Sequence, residues 1–163
     1  MRYAGNIESG VQVFDVKRGE SPGMRYLHFN RWLRAEMGPV HLIVYEQTHQ
    51  RGGAATEVAA GFATRVQEYC AESRTEHTAV HTATLKKWAT AKGNCGKLAM
   101  IERAVQLSDD FAARYGEWTR ERKATAKEVE AAWADEADAL LLLAYALETL
   151  AEGLQTAERT ETT

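Results

Sequence analysis

The chain has 163 residues, 45% apolar and 26% charged, with a formal net charge of −3 at pH 7. This is enough chain to bury a sizeable core in one domain, and the mix is that of an ordinary soluble globular protein. The small negative balance excludes a protein that coats nucleic acid indiscriminately, and two cysteines, Cys70 and Cys95, are too few for a disulfide framework, so reduced thiols in a cytoplasmic protein are expected.

The N-terminus, MRYAGNIESG, has no apolar segment that would serve as a secretory signal. Residues 7–16, IESGVQVFDV, alternate loosely and hold β-branched and aromatic residues, which predicts a strand. Ser21-Pro22 predicts a helix start, with Ser as N-cap and Pro at the first helical position. That helix is expected to run to about Met37, with Leu27, Trp32 and Leu33 inward, before Gly38-Pro39 ends it. Residues 40–46, VHLIVYE, form the best strand in the chain, apolar enough to be covered on both faces. A helix over residues 54–71 and a strand over 76–81 complete a βαβ crossover.

Beyond it come a short helix (84–90), a glycine-punctuated turn, AKGNCGK, and a helix over about 97–107. Residues 108–133 are helical in propensity but heavily charged and are expected to form an exposed helix or arm. A last helix, about 134–153, is almost wholly apolar in the middle and is expected to pack against the sheet. The polar residues 154–163 follow as a tail, after a single domain over residues 1–153. The longest apolar run, ALLLLAYAL, is far short of a membrane span, so no membrane association is expected.

Charge is unevenly divided. Residues 1–126 carry 18 Lys+Arg against 14 Asp+Glu, whereas residues 127–163 carry 2 against 9. The acidic end is either a solvated helix face or a set of carboxylates gathered for metal. Glu46 ends the apolar strand, and Asp135 and Asp138 sit three apart at the start of the last helix, a spacing that puts both side chains on one face. Such oxygen ligands suit hard divalent cations, and a metal pair would polarise a phosphodiester and activate water. A lysine nearby, Lys86 or Lys97, would neutralise charge developing on the phosphate.

The order VYEQ…GG, then LKKWATAKGNCGK, then DEADALLLLAYA resembles the RuvC-type Holliday junction resolvases of the ribonuclease H-like superfamily, particularly small phage-associated members. The likeness covers roughly Ile7 to Leu147. It implies an α/β fold, a mixed sheet flanked by helices, and a Mg²⁺-dependent endonuclease (Mn²⁺ as a substitute) that nicks four-way DNA junctions as a homodimer. By the same resemblance Glu46, Asp135 and Asp138 are metal-binding carboxylates and Lys97 is a catalytic or phosphate-contacting lysine. Lys86 is a second basic residue, and Gln47 to Ala54, Arg51 among them, fall where the family contacts DNA. Lys87 and Lys92 extend the basic stretch around Trp88, a packing residue or a platform for an exposed base.

The family's pattern opens on a strand bearing a metal-binding aspartate, and no apolar run ending in Asp precedes MRYAGNIESGVQVF. Asp15, the only aspartate in the first hundred residues, lies beyond the place for that ligand. The chain is therefore expected to be a piece of a longer enzyme or a shortened relative that binds junctions without cutting them. A protein-interaction element built on residues 108–133 and the acidic helix is a third expectation. His77 and His81 share a strand face but lack further zinc ligands at suitable spacing. Cys95 has no evident histidine partner.

Overall fold

The computed structural model describes residues 7–47 and 52–160, with side chains to residue 149. It is an α/β structure, mostly helical, with one small sheet. The elements run α1 (Met24–Glu36), β1 (Leu42–Glu46), α2 (Ala54–Ser73), β2 (Glu76–Val80), α3 (Thr82–Thr90), α4 (Lys97–Leu107), α5 (Asp109–Glu121) and α6 (Ala126–Thr160). The chain divides into two compact units, one of Gln12–His81 and one of Met1–Val11 with Thr82–Thr163.

The first unit is built on the β1-α2-β2 crossover. β1 and β2 pair in parallel, with Leu42 opposite Glu76 and Glu46 opposite Val80. The expected mixed sheet is represented among the described residues by this pair. Gly52 and Gly53, at φ of 74° and 95°, lead into α2 through backbone conformations that side chains disfavour. The carbonyl of Gly53 then accepts from the amides of Thr56 and Glu57, opening the helix. The unit's core joins Ile43 of β1 to Val66 and Cys70 of α2, flanked by Phe29, Tyr45 and Tyr69. In the two-stranded sheet of the described residues, β1 is half-buried rather than enclosed on both faces.

Three expectations for residues 7–36 change. Residues 7–16 run without a strand ladder, leaving Val11 and Val13 at 56% and 63% exposure. Alternation records a fit to a pleated surface, but a strand also needs an edge to pair with. Here the carbonyl of Phe14 instead accepts from Nε of Arg25 at 3.1 Å. The Phe14 ring lies edge-on to Phe29 and Trp32, with centroids at 5.3 and 5.6 Å. Second, α1 begins at Met24 after Gly23, because Ser21-Pro22-Gly23 closes a turn in which the amide of Met24 donates to the carbonyl of Ser21 at 2.9 Å. Third, Leu27 is exposed while Leu33 is buried.

The second unit is helical. α6 packs on α4 and α3, which take up the apolar face expected to meet the sheet. Its buried residues Ala137, Leu140, Leu141 and Ala144 recur at helical spacing, and Met100, Ile101 and Ala104 of α4 are buried with them. The arm expected over residues 108–133 is α5 together with the first turns of α6. Ser108 caps α5 by accepting from the amide of Phe111 at 3.2 Å. Phe111 is fully buried, its ring edge-on to Trp133 at 5.3 Å.

Thr125 and Glu128 start α6 as a capping box, since the carboxylate accepts from the Thr125 amide at 2.7 Å and the Thr125 hydroxyl accepts from the Glu128 amide at 3.4 Å. The last helix therefore begins well before residue 134, and it continues past Gly153 through residues expected to form a tail. No helix among the described residues is long and apolar enough to cross a membrane.

Candidate functional site

β1 delivers Glu46, an exposed side chain, at the carboxyl end of the strand. Ligands of open α/β sheets gather beyond the carboxyl ends of parallel strands. A cleft of about 380 Å³ lies there, walled by Phe29, Tyr45, Phe62 and Val66, with Glu46 and Gln47 at the polar side. Gln47 is held by its amide, which donates to the carbonyl of Val80 at 2.8 Å and extends the parallel ladder by one bond. Gln67 donates to the hydroxyl of Tyr45 at 2.7 Å, fixing the ring at the cleft wall. Arg51 lies outside the described residues.

The other predicted residues belong to the helical unit. Asp135 is exposed and Asp138 half-buried on α6. Lys97 is the exposed first residue of α4, after Gly96. Lys86 is half-buried and Lys87 exposed on α3, and Lys92 is exposed in the turn that follows. Trp88 orients α3, because its indole N–H donates to Oε2 of Glu148 at 2.7 Å and its ring meets Tyr145 edge-on at 5.7 Å. This supports the packing reading of Trp88, with its polar edge committed to α6.

Glu46 and Gln47 thus lie in one compact unit, and Asp135, Asp138, Lys86, Lys87, Lys92 and Lys97 in the other. Among the described residues no three His, Cys, Asp or Glu side chains gather closely enough to hold an ion together. In donor chemistry the carboxylates suit Mg²⁺, which needs one or two of them beside substrate phosphate and water. Asp135 and Asp138, neither of them buried, meet that requirement from one helix.

The acid that the structure buries in the DEADA stretch is Glu136, at 5% exposure, a residue that sequence reasoning passed over. Its Oε1 accepts from Arg114 of α5 at 2.6 Å and from the hydroxyl of Ser9 at 2.8 Å. Arg114 also pairs with Asp110 at 2.9 Å, and its guanidinium lies 5.9 Å from the centres of the Phe111 and Trp133 rings. The hydrogen bond that Arg114 donates to Glu136 leads the effects that raise the Arg114 pKa further above its ordinary range. A charged pair of this kind fixes the register of α5 on α6. No short-range pattern pairs residue 114 with residue 136, and the hint is an acid set between Asp135 and Ala137 at a position that falls on the buried face of the helix.

The remaining candidates are structural or exposed. His77 is exposed, with its ring centroid 6.1 Å from that of Tyr45. Both cysteines are free thiols; Cys70 is buried, which raises its thiol pKa and makes it a poor nucleophile. No protein-family model matches the chain, and no curated protein matches it.

Proposed function

We propose that this chain is a metal-dependent endonuclease of the Holliday junction resolvase type, with a ribonuclease H-like fold, acting on branched DNA. The observation that carries the reading is the place of Glu46: a carboxylate at the carboxyl end of the first strand of a parallel β1-α2-β2 unit, beside an open cleft. The helix pair α3–α4 with its lysines, followed by α6 with Asp135 and Asp138, supports it in the order the resemblance requires.

In this reading Asp135 and Asp138 supply oxygen ligands from α6, Glu46 is a metal-binding carboxylate at the end of β1, and Lys97 and Lys86 contact or neutralise the phosphate. Mg²⁺, when bound, supplies Lewis-acid activation of the phosphodiester. Lys97 is exposed at the start of α4, which supports a phosphate contact in this reading. Lys87, Lys92, Gln47 and Arg51 add DNA contacts that position the strand. Two copies of the chain are expected to act on one junction, as its two symmetric cuts require.

The test is incubation with a labelled four-way junction and a linear duplex of the same arms in Mg²⁺ or Mn²⁺, with and without chelator. Nicked product from the junction alone, lost on chelation, is the expected result. Junction binding with no product in either metal would replace this reading with that of a non-cleaving junction-binding module. Neither binding nor cutting by a folded sample would overturn both.

A further inference from the structure

The helical unit holds a second cleft that the reading above does not use. It opens where α5 gives way to α6, encloses about 640 Å³, and is lined by Trp118, Arg122, Lys123, Glu128, Ala131 and Ala132. Its size is within the range of small-ligand sites, roughly 300–1,000 Å³. The guanidinium of Arg122 lies 5.4 Å from the Trp118 ring centre, so cation and indole form one platform. That indole meets Trp133 edge-on at 6.0 Å, which ties it to the aromatic cluster of Phe111 and Tyr115.

Across the cleft, Ala131 and Ala132 are exposed and small, and they leave the space in front of the platform open. Among the described residues no carboxylate forms an ion pair with Arg122 or Lys123. The one acid in the lining, Glu128, is committed to the amide and hydroxyl of Thr125 at 2.7 and 2.8 Å. What remains is a flat cationic-aromatic platform, a second free cation and an alanine shelf.

We propose that this cleft binds one nucleotide of a single DNA strand, with the base stacked on the Arg122–Trp118 platform and Lys123 on its phosphate. Unpaired bases are bound through stacking on aromatic and guanidinium planes, and the charge on the strand complements the two unpaired cations. The site stands on its own residues and independently of Glu46 and the α6 aspartates, so its failure leaves the nuclease reading standing. On a branched substrate its role is to hold a strand that has left the duplex.

The experiment is fluorescence anisotropy of a labelled oligothymidine with the full chain in chelator, where no cutting interferes. Trp118→Ala, which removes the indole beneath the guanidinium, is expected to bind at least about 5-fold more weakly, the low end for one lost stack. Arg122→Gln, an exposed change that leaves the core intact, decides the matter if Trp118→Ala fails to fold. It is expected to weaken binding, and Lys123→Gln is expected to reduce the steepness of log affinity against log salt by about 0.7, the value for one single-strand phosphate contact. An abasic oligonucleotide is expected to bind less tightly than oligothymidine. No binding by the wild-type chain, unchanged affinity in Arg122→Gln, equal affinity for the abasic strand, or equal competition by polyglutamate would each overturn the proposal.

Discussion

Among single residues, Glu136 shows how burial reverses the reading of an acid. Asp135 and Asp138 drew notice because their spacing gives them one face, yet the acid between them carries the structural charge. Arg114, only part-buried at 36% exposure, faces a carboxylate at 6%. Removing the carboxylate leaves the guanidinium among the Phe111 and Trp133 rings without its main partner. Glu136→Ala is expected to cost about 3 kcal/mol, the low end for breaking a buried pair, because Arg114 recovers some hydration. Asp110→Ala, which removes a partner at 60% exposure, is expected to cost less than about 1 kcal/mol. Urea unfolding of the two variants checks the contrast, and equal losses would show that burial does not govern this network.

At the scale of elements, the helix starts carry the second and third predictions. Hydrogen bonding from the Thr125 amide, then from its hydroxyl, holds the Glu128 pKa below the ordinary value of 4.5. A carboxyl group with a depressed pKa in the folded state adds stability above its unfolded value, and that stability is lost as pH falls through the folded value. The start of α6 is therefore expected to loosen only as the medium is acidified below the ordinary glutamate range. Glu128→Gln, which removes the titrating carboxyl, is expected to remove that pH dependence, as followed by amide exchange in residues 126–129. Phe111→Ala is expected to cost about 3–5 kcal/mol, because the ring is wholly enclosed.

Both helix starts carry local signals that the sequence reading did not use. The T-x-x-E box at 125–128 lies in a stretch so charged that its composition alone suggests an exposed arm. Phe111, Tyr115 and Trp118 also recur at helical spacing within that stretch. A count of charges hides such a stripe, because the aromatic face needs only every third or fourth position.

Across the molecule, legibility followed the length of the local signal. The parallel β1-α2-β2 unit could be read because a continuous apolar strand, a glycine pair and a long helix each announce themselves within a few residues. The start of α4 followed from the glycines before it. The strand expected over residues 7–16 did not form, since pairing depends on an edge elsewhere in the fold and sequence alternation cannot supply one. For the candidate site, the position of Glu46 at a strand end was legible, as was that of Asp135 and Asp138 on one helix. The Trp118 cleft was not, because it joins α5 to α6 across a turn whose geometry only the fold fixes.

The central claim is that Glu46 and the α6 aspartates serve phosphodiester cleavage, and product formed from a four-way junction tests it most directly. Wild type, Glu46→Gln, Asp138→Asn and, as a control for loss of a surface charge, Asp110→Asn would be compared in Mn²⁺, each shown to be folded. The account expects product from wild type and Asp110→Asn and none from the other two. Product from Glu46→Gln at the wild-type rate would contradict it.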